Sequence, residues 1–321
     1  MNRREFIGAA LGAVFTPFAV EAQQMRNLYR VGWLDYSSSA ENLGIFLQAM
    51  GARGWLEGKT FRIEYRGGEG KTEQLLTVAA ELVRLPVDVI VAPGTQEALA
   101  ARKATDSIPV VMTGVDDPVE RRLVVSLARP GGNVTGLANA RRELSGKLLS
   151  LLLEFSPRAL SVALLWDSTD PEHQEILGYL HDAARTLGVS LNSVPVRRYT
   201  EVEPAFAAIK KQGNQMLIVP FSSMLVPRWI ADLALSYRLL LASTSPGYAY
   251  EGALLAYTDD WNAVFDRVAT FVDRILKGAK PADLPVELPT KFKLIVNTKT
   301  AQTLGLTIPP SILVGADNIV E

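Results

Sequence analysis

Cysteine is absent from the chain of 321 residues, and histidine occurs only twice. The first absence excludes disulfides, thiolate catalysis, thiolate metal ligands and a lipid-modified cysteine that would tether the protein to a membrane. The two histidines, His173 and His181, lie on one predicted helix about 12 Å apart along its axis, too far to share a metal ion, so we interpret both as surface residues. Nucleophilic and zinc chemistry therefore have few candidate residues.

Common enzyme motifs and an excess of charge are also missing. The chain has neither a Gly-x-Ser-x-Gly elbow nor a Walker loop. Basic and acidic residues are balanced at 33 and 34, which argues against a nucleic-acid-binding protein, because such a protein needs a basic excess. Beyond the N-terminal segment no run of about 18 consecutive apolar residues predicts a membrane span. We expect no catalytic residue, no cofactor, no metal ion and no nucleic-acid partner.

The N-terminal segment has the organisation of an export signal. Two arginines give it a positive start, residues 6–20 form an apolar run, and cleavage is expected near Ala22. A run of about 15 apolar residues is too short for a bilayer, which needs about 20, so we interpret the segment as removable. The string Arg3-Arg4-Glu5-Phe6 also resembles the twin-arginine export signal, with an ordinary secretory signal as the alternative. Either route predicts an exported, periplasmic protein.

In the rest of the chain, short apolar runs alternate with longer amphipathic stretches, as in strand–helix–strand units. The predicted strands are Arg30–Leu34, Phe61–Tyr65, Val87–Ala92, Val110–Thr113, Ser161–Trp166, Leu191–Val196, Leu217–Val219, Leu239–Ala242, Ala253–Tyr257 and Lys293–Val296. Helices are predicted between them, including a short one over Val119–Leu127. Because the pattern starts again after residues 137–141, the sequence predicts an α/β protein with two doubly wound parallel-sheet lobes.

The predicted binding site is the cleft between the lobes. Ligands of parallel α/β sheets bind beyond the carboxyl ends of the strands, and two facing lobes direct both sets of strand ends into one cleft. The candidate ligand-binding residues at these ends are Asp35, Tyr36, Ser38, Thr95, Gln96, Asp116 and Asn139 on the first lobe and Trp166, Asp167, Phe221, Ser222, Ser223, Tyr248 and Asp259 on the second.

Three kinds of group near these strand ends indicate the chemistry of the ligand. The free N–H groups at a helix start favour binding of a carboxylate of the ligand. The alternative is that the Ser or Thr residues there only cap the helix. Acids favour an ammonium group, unless they are solvated loop residues, and aromatics favour a flat or apolar portion, unless they plug the sheet ends. The helix starts are Thr95-Gln96 and Ser222-Ser223, the acids are Asp116, Asp167 and Asp259, and the aromatics are Trp33, Tyr36, Trp166, Phe221, Tyr248 and Trp261.

Several strings of the sequence are similar to one family. Ser-Leu-Ala-Arg-Pro-Gly-Gly-Asn-Val-Thr-Gly at 126–136 is the most specific, and the strings at 104–111, 275–286 and 301–310 agree with it. On these strings the chain resembles the ABC-transporter substrate-binding proteins of the tryptophan/tyrosine-uptake type over nearly its whole mature length. The resemblance implies a type I periplasmic-binding fold, in which two lobes joined by a multi-strand hinge close on a ligand.

The resemblance also implies lobe limits and partners. We expect the first lobe to contain residues 28–138 plus about 257–284, and the second to contain 139–256 plus about 287–321. The expected crossings between them lie near 137–141, 255–258 and 283–288. The implied partners are the membrane permease and the ATPase of an ABC importer, and we expect the chain itself to be a monomer.

These observations together predict an exported receptor of an ABC importer that captures a small solute between its lobes and releases it unchanged. The expected solute is carboxylate-containing, amino-acid-like or aromatic. A periplasmic ligand-sensing module for a membrane receptor is the main alternative, and an exported α/β enzyme is the third. A neighbouring permease and ATPase in the operon would favour transport, whereas a sensor kinase would favour sensing.

Overall fold

The computed structural model describes residues 28–36, 40–222 and 224–321. The predicted export signal and the candidate residues Ser38 and Ser223 lie outside these ranges. Within them, helices and strands alternate and the strands form two separate sheets. None of the helices in these ranges is long and apolar enough to cross a membrane.

The first sheet contains five parallel strands. They are β1 (Tyr29–Asp35), β2 (Phe61–Gly67), β3 (Val89–Ala92), β4 (Val110–Val115) and β5 (Val134–Ala138), connected by helices that include α1 (Ala40–Ala52), α2 (Thr72–Arg84) and α3 (Thr95–Ala104). Their order across the sheet is β2-β1-β3-β4-β5. Every residue of β3 and β5 is buried, as expected for parallel strands covered on both faces.

The second sheet contains seven strands. They are β6 (Ser161–Asp167), β7 (Ser190–Val196), β8 (Met216–Ile218), β9 (Leu240–Ser243), β10 (Leu255–Asp259), β11 (Phe292–Asn297) and β12 (Asn318–Val320). The order across the sheet is β12-β11-β10-β9-β8-β6-β7. The remaining helices are α4 (Arg141–Phe155), α5 (Pro171–Leu187), α6 (Val202–Lys211), α7 (Pro227–Ser236), α8 (Pro246–Tyr250), α9 (Trp261–Leu276), α10 (Thr298–Leu304) and α11 (Pro310–Gly315).

Helix α9 follows β10 along the chain but packs on the first sheet. Asp260 caps its start by accepting hydrogen bonds from the backbone N–H groups of Asn262 and Ala263. On its buried face, the Phe265 ring lies 5.9 Å from the Trp33 ring of β1, measured between centroids. The chain therefore returns to the first lobe after β10. The two sheets confirm the predicted α/β architecture with two lobes.

Three segments of the chain cross between the lobes, and two of them are hydrogen-bonded to each other. The Thr135 hydroxyl in β5 donates to the carbonyl of Leu284 at 2.6 Å. The N–H of Glu287 donates to the carbonyl of Gly136 at 3.0 Å, and the N–H of Ala138 donates to the carbonyl of Glu287 at 2.9 Å. The third segment passes from β10 to α9. Paired crossings of this kind can serve as a hinge about which the two lobes rotate.

Two predicted features of the fold are wrong. The segment Val119–Leu127 forms turns instead of a helix, because Asp117 (φ 34°) and Arg122 (φ 57°) adopt left-handed conformations that interrupt helical hydrogen bonding. The second sheet is also not wholly parallel, since β11 runs antiparallel to β10. The reason is topological: β10 leaves the sheet toward the hinge, and β11 enters it from the hinge.

Candidate functional site between the two lobes

Three acidic or hydroxyl side chains of the first lobe lie at neighbouring strand ends. Asp35 ends β1, Thr95 follows β3 and Asp116 follows β4, and these three strands are adjacent in the sheet. Each of the three residues is no more than 5% exposed. Tyr36 and Gln96 beside them are half-buried. The carboxyl edge of the sheet thus brings the predicted residues of this lobe together.

Glu97, in the first turn of α3, folds its carboxylate back over the start of the helix. Its Oε1 accepts a hydrogen bond from the N–H of Tyr36 at 3.0 Å. A Cβ at Gly94 would lie only 2.2 Å from Glu97 Oε2, so a larger residue there would displace this carboxylate. Burial raises the pKa of Glu97 to about 7, although bonds from its own N–H and that of Tyr36 act to lower it, and the charges of Glu172 and Asp35 raise it further.

Thr95 is the first residue of α3 rather than its predicted cap, since Gly94 occupies the N-cap position. Its hydroxyl oxygen Oγ1 is buried and has no hydrogen-bond partner among the described residues. The sequence predicts that this helix start binds a carboxylate of the ligand, but the position is already taken by the carboxylate of Glu97. The edge of the first lobe is therefore acidic, with one unpaired hydroxyl.

Arg141, at the start of α4, joins the two lobes. Its Nη1 donates to Asp116 Oδ2 of the first lobe at 3.0 Å, and its Nη2 donates to Glu172 Oε2 of the second lobe at 2.7 Å. Burial alone would lower the pKa of Arg141, but the charges of Glu172 and Asp116 outweigh it and hold the pKa above its ordinary value. Asn139 supports this turn by accepting a hydrogen bond from the N–H of Arg141 at 3.3 Å.

A second group of contacts crosses the cleft beside Arg141. Arg121 of the first lobe donates from Nη2 to Glu175 Oε1 of α5. The hydroxyl of Tyr179, also on α5, donates to Asp116 Oδ1 at 3.3 Å. Burial raises the pKa of Glu175, and the neighbouring Asp116 raises it further, whereas Arg121 lowers it. The lobes are thus in direct contact through paired charges, as in a closed cleft.

Asp259 completes the acidic wall at the end of β10. Its Oδ1 atom is buried without a hydrogen-bond partner in the part of the chain that the structure describes. Burial raises the pKa of Asp259 to about 6, although the positive charge of Arg141 acts in the opposite direction. A carboxylate of the second sheet therefore shares the electrostatic environment of Arg141 and lacks a close partner of its own.

Residues 34–320 match the sequence profile of a family described as ABC transporter substrate binding protein. The chain belongs to this family. The family is one of binding proteins, which agrees with the prediction that the chain is not an enzyme.

Individual relatives of this ABC transporter substrate binding protein agree with the assignment. A tyrosine-binding protein of Clostridioides difficile (strain R20291) is 26% identical over 277 residues, which cover 85% of this chain and 78% of the relative. A Streptococcus pneumonia domain solved in complex with L-Trp superposes with a TM-score of 0.79 at 23% identity, covering 91% of this chain and 99% of that one. A conserved domain protein from Vibrio cholerae has a TM-score of 0.80 at 24% identity and the same coverage of both chains.

In the second lobe of this binding protein, Asp167 and Ser222 hold loops together. Asp167 Oδ2 accepts a hydrogen bond from the Ser222 hydroxyl at 3.1 Å, and Asp167 Oδ1 accepts one from the N–H of Thr169 at 2.9 Å. His173 Nδ1 accepts from the N–H of Asp167 at 3.0 Å, so its Nε2 carries the proton and donates to the carbonyl of Phe221 at 2.8 Å. The prediction that His173 is a surface residue is wrong, since it is 2% exposed.

Two predicted aromatic contacts lie in the core of the second lobe. Tyr248 is fully buried and its hydroxyl donates to the carbonyl of Leu225. Trp166 packs among the apolar residues of the lobe, and its Nε1 donates to the Ser193 hydroxyl at 2.9 Å. The structure therefore does not bring Tyr248 to the strand edge, because the residue follows β9 on a short helix that folds back onto the lobe. Phe221 has an exposed ring.

The sequence prediction missed several residues of the cleft, and most share one kind of position. They are Glu97, Arg121, Arg141, Glu172, Glu175 and Tyr179. Four of the six lie in the first two turns of helices that follow a strand, whereas the prediction considered mainly the loop residues just after each strand. A search extended by two turns into each such helix would have selected those four.

Proposed function

We propose that the chain is an exported receptor of an ABC importer that captures an amino-acid-like solute with a flat or apolar portion between its two lobes. The family assignment supports the role in transport. The ligand class is supported by the tyrosine-binding relative and by the structural neighbour solved with L-Trp. The N-terminal segment supports export to the periplasm with cleavage near Ala22, and the permease and ATPase of the importer are the partners of the mature monomer.

The observation that carries the proposal is that buried polar atoms from both sides of the cleft have no hydrogen-bond partner among the described residues. Thr95 Oγ1 comes from the first lobe, and Asp259 Oδ1 comes from the second sheet. Buried polar atoms in proteins are nearly always hydrogen-bonded, and one left unpaired costs about 1–3 kcal/mol. A bound solute that supplies partners to both atoms removes this cost, and it does so only when the lobes are closed.

Closure of the lobes is the proposed consequence of binding. Residues 28–138 with 260–286 move against residues 139–259 with 287–321 about the paired crossings. The solute shifts the population toward the closed state because only that state lets both lobes contact it. Arg141 and Arg121 stabilise the same state through their contacts across the cleft.

A thermal-shift experiment tests the proposal. The mature chain is unfolded, dialysed and refolded to remove any carried-over solute, and is then heated with each of the common amino acids and aromatic acids. A solute at about 100 times its Kd adds about 2.7 kcal/mol of stability, which raises Tm by several degrees. We expect this rise with aromatic amino acids, and the proposed ligand class is wrong if no member of the panel raises Tm.

A pair of matched variants locates the binding. Asp259→Asn alters the unpaired carboxylate at the cleft and is expected to abolish the thermal shift. Asp106→Asn makes the same chemical change in an exposed loop beyond the opposite end of α3 and is expected to preserve it. Equal thermal shifts in the two variants would place the solute away from Asp259.

A further inference from the structure

Two carboxylates at the cleft, one from each lobe, have no ion pair with any described residue. Glu97 is buried, whereas Asp259 is half-buried with a buried Oδ1 atom. Glu97 receives hydrogen bonds only from backbone N–H groups, and the side-chain charges that act on it are those of two other acids. Asp259 has an unpaired Oδ1 and feels Arg141 only at a distance. The other acids of the cleft have side-chain partners. Asp116 and Glu172 pair with Arg141, and Glu175 pairs with Arg121. Asp35 accepts a hydrogen bond from the Tyr65 hydroxyl and Asp167 accepts one from the Ser222 hydroxyl.

A second feature of the same place points independently to a ligand. Thr95 is 3% exposed and its Oγ1 has no partner in the described part of the chain. It lies in the same helical turn as Glu97, just after the end of β3 and next to the strand end that precedes Asp116. A hydroxyl oxygen in this position accepts a hydrogen bond from an N–H group that approaches the two carboxylates.

The cations of the cleft do not match a ligand carboxylate. Arg141 is already held by two carboxylates and Arg121 by one. The N–H groups at the start of α3, which would otherwise attract an anion, face the carboxylate of Glu97. An added carboxylate would thus meet acids from both lobes, whereas an ammonium group would meet complementary charge from both.

We propose that the solute is held chiefly by an ammonium group placed between Glu97 and Asp259, with Thr95 accepting a further hydrogen bond, and that its carboxylate is not required. The inference rests on the proposed function and narrows its ligand class to amines, which include aromatic amines as well as amino acids. The raised pKa values of Glu97 and Asp259 agree with it, because both reflect charged groups buried without a nearby cation.

Two series of probes test this inference by calorimetry at pH 8. One series is L-tryptophan, tryptamine and indole-3-propionate, and the other is L-tyrosine, tyramine and 3-(4-hydroxyphenyl)propionate. Each series removes either the carboxylate or the amine from one scaffold. We expect the amino acid and the amine to bind with similar affinity and the acid to bind roughly 10- to 100-fold more weakly, the range of a charge-assisted hydrogen bond.

The outcomes separate this inference from the proposed function. An acid that binds as tightly as its amino acid, or an amine that fails where its amino acid binds, overturns the ammonium assignment and leaves the receptor role intact. If no member of either series binds, the proposed ligand class falls and the ammonium assignment falls with it.

Variants provide a second readout. Glu97→Gln keeps the shape of the side chain and removes its charge, and it is expected to weaken binding of the best amine roughly 10-fold or more. Glu203→Gln makes the same change on the exposed face of α6 and is expected to leave binding unchanged. Asp259→Asn serves as the independent variant if Glu97→Gln does not fold, which Tm and circular dichroism establish. Unchanged amine binding in a folded variant at either position contradicts the assignment.

Discussion

His173 illustrates how single residues fix the second lobe. Its two ring nitrogens bond to the N–H of Asp167, the last residue of β6, and to the carbonyl of Phe221 in the loop after β8. The side chain is therefore a structural connector between two strand ends, and its burial explains why the expectation of a surface residue was wrong.

The two histidines form a matched pair for a stability test. His173→Ala leaves a buried N–H and a partly buried carbonyl unpaired, and we expect the free energy of unfolding to fall by about 2–4 kcal/mol. His181→Ala, on the exposed face of the same helix, is expected to change it by about 0.5 kcal/mol or less. Urea denaturation at pH 7 measures both, and equal losses would refute the connecting role of His173.

Glu97 and Asp259 make the protein less stable as pH rises, whereas acids with lowered pKa values have the opposite effect. Their pKa values in the fold, about 7 and about 6, lie above the ordinary values of 4.5 and 3.8, so the folded state binds protons that the unfolded state releases. Their contribution is complete below about pH 4 and is lost as pH rises through 6 and 7. We expect Tm without solute to be higher at pH 5 than at pH 8.

One variant serves as the control for the pH experiment, and two acids with lowered pKa values titrate outside its pH range. Glu97→Gln is expected to reduce the difference in Tm between pH 5 and pH 8, since one of the acids with a raised pKa no longer titrates. Asp266 and Asp273 have lowered pKa values and act below about pH 4, outside this window. A variant with an unchanged pH profile would show that Glu97 does not titrate between pH 5 and 8.

At the residue scale the sequence located one side of the cleft. The rule that ligands bind at strand ends correctly places Asp35, Thr95 and Asp116 at one edge, because strand order follows from short right-handed connections. It does not predict that Arg141 bridges Asp116 to Glu172. That contact depends on how two lobes approach each other, and no local pattern in the sequence encodes their separation.

At the scale of elements, β5 depends on a glycine at the hinge. Gly136 has φ 128°, and a Cβ there would lie 2.1 Å from the Met112 carbonyl oxygen of β4. Its own carbonyl accepts the hydrogen bond from Glu287 that pairs two crossings. No side chain fits without separating β4 from β5 or distorting the hinge.

Two glycine-to-alanine variants test this requirement. Gly136→Ala is expected to lower the free energy of unfolding by about 3 kcal/mol or more, because the backbone must move to admit the methyl group. Gly178→Ala, in the exposed interior of α5 with nothing within 4 Å of the added atom, is expected to raise it by about 0.5–1 kcal/mol. Both values come from urea denaturation, and a Gly136→Ala variant as stable as the parent would refute the close approach.

Element prediction succeeded where periodicity was strong and failed where tertiary contacts decide. The buried runs at β3, β4, β6 and β9 were predicted within a few residues, since apolar stretches between amphipathic helices have few other interpretations. The short elements α8, α11 and β12 were not predicted. Each has three to six residues, too few to show a period. The two helices are fixed by packing against the second sheet, and β12 is fixed by pairing with β11 at its edge.

At the scale of the whole molecule, contacts between charged side chains connect the lobes. The pair of Arg121 with Glu175 joins a loop of the first lobe to α5 of the second. Both side chains are partly exposed, so the pair stabilises the closed state modestly compared with a buried one. We therefore expect the proposed equilibrium between open and closed states to shift easily, as the release of a solute requires.

Removal of one contact between the lobes is expected to weaken solute binding without removing any solute contact. Arg121→Ala is predicted to lower affinity by about 2- to 5-fold, because the closed state loses an ion pair that contributes up to about 1 kcal/mol. It is also predicted to increase the radius of gyration of the solute-free protein in small-angle scattering. Arg198→Ala, which breaks a pair within the second lobe, is the control, and equal effects of the two variants would contradict the role of Arg121.

The most direct test of the account is a crystal structure grown with whichever of the six aromatic probes binds most tightly. We expect one molecule between the two sheets, with its amine nitrogen about 3 Å from carboxylate oxygens of both Glu97 and Asp259. A molecule seated on one lobe alone, or an amine directed away from both carboxylates, would contradict it.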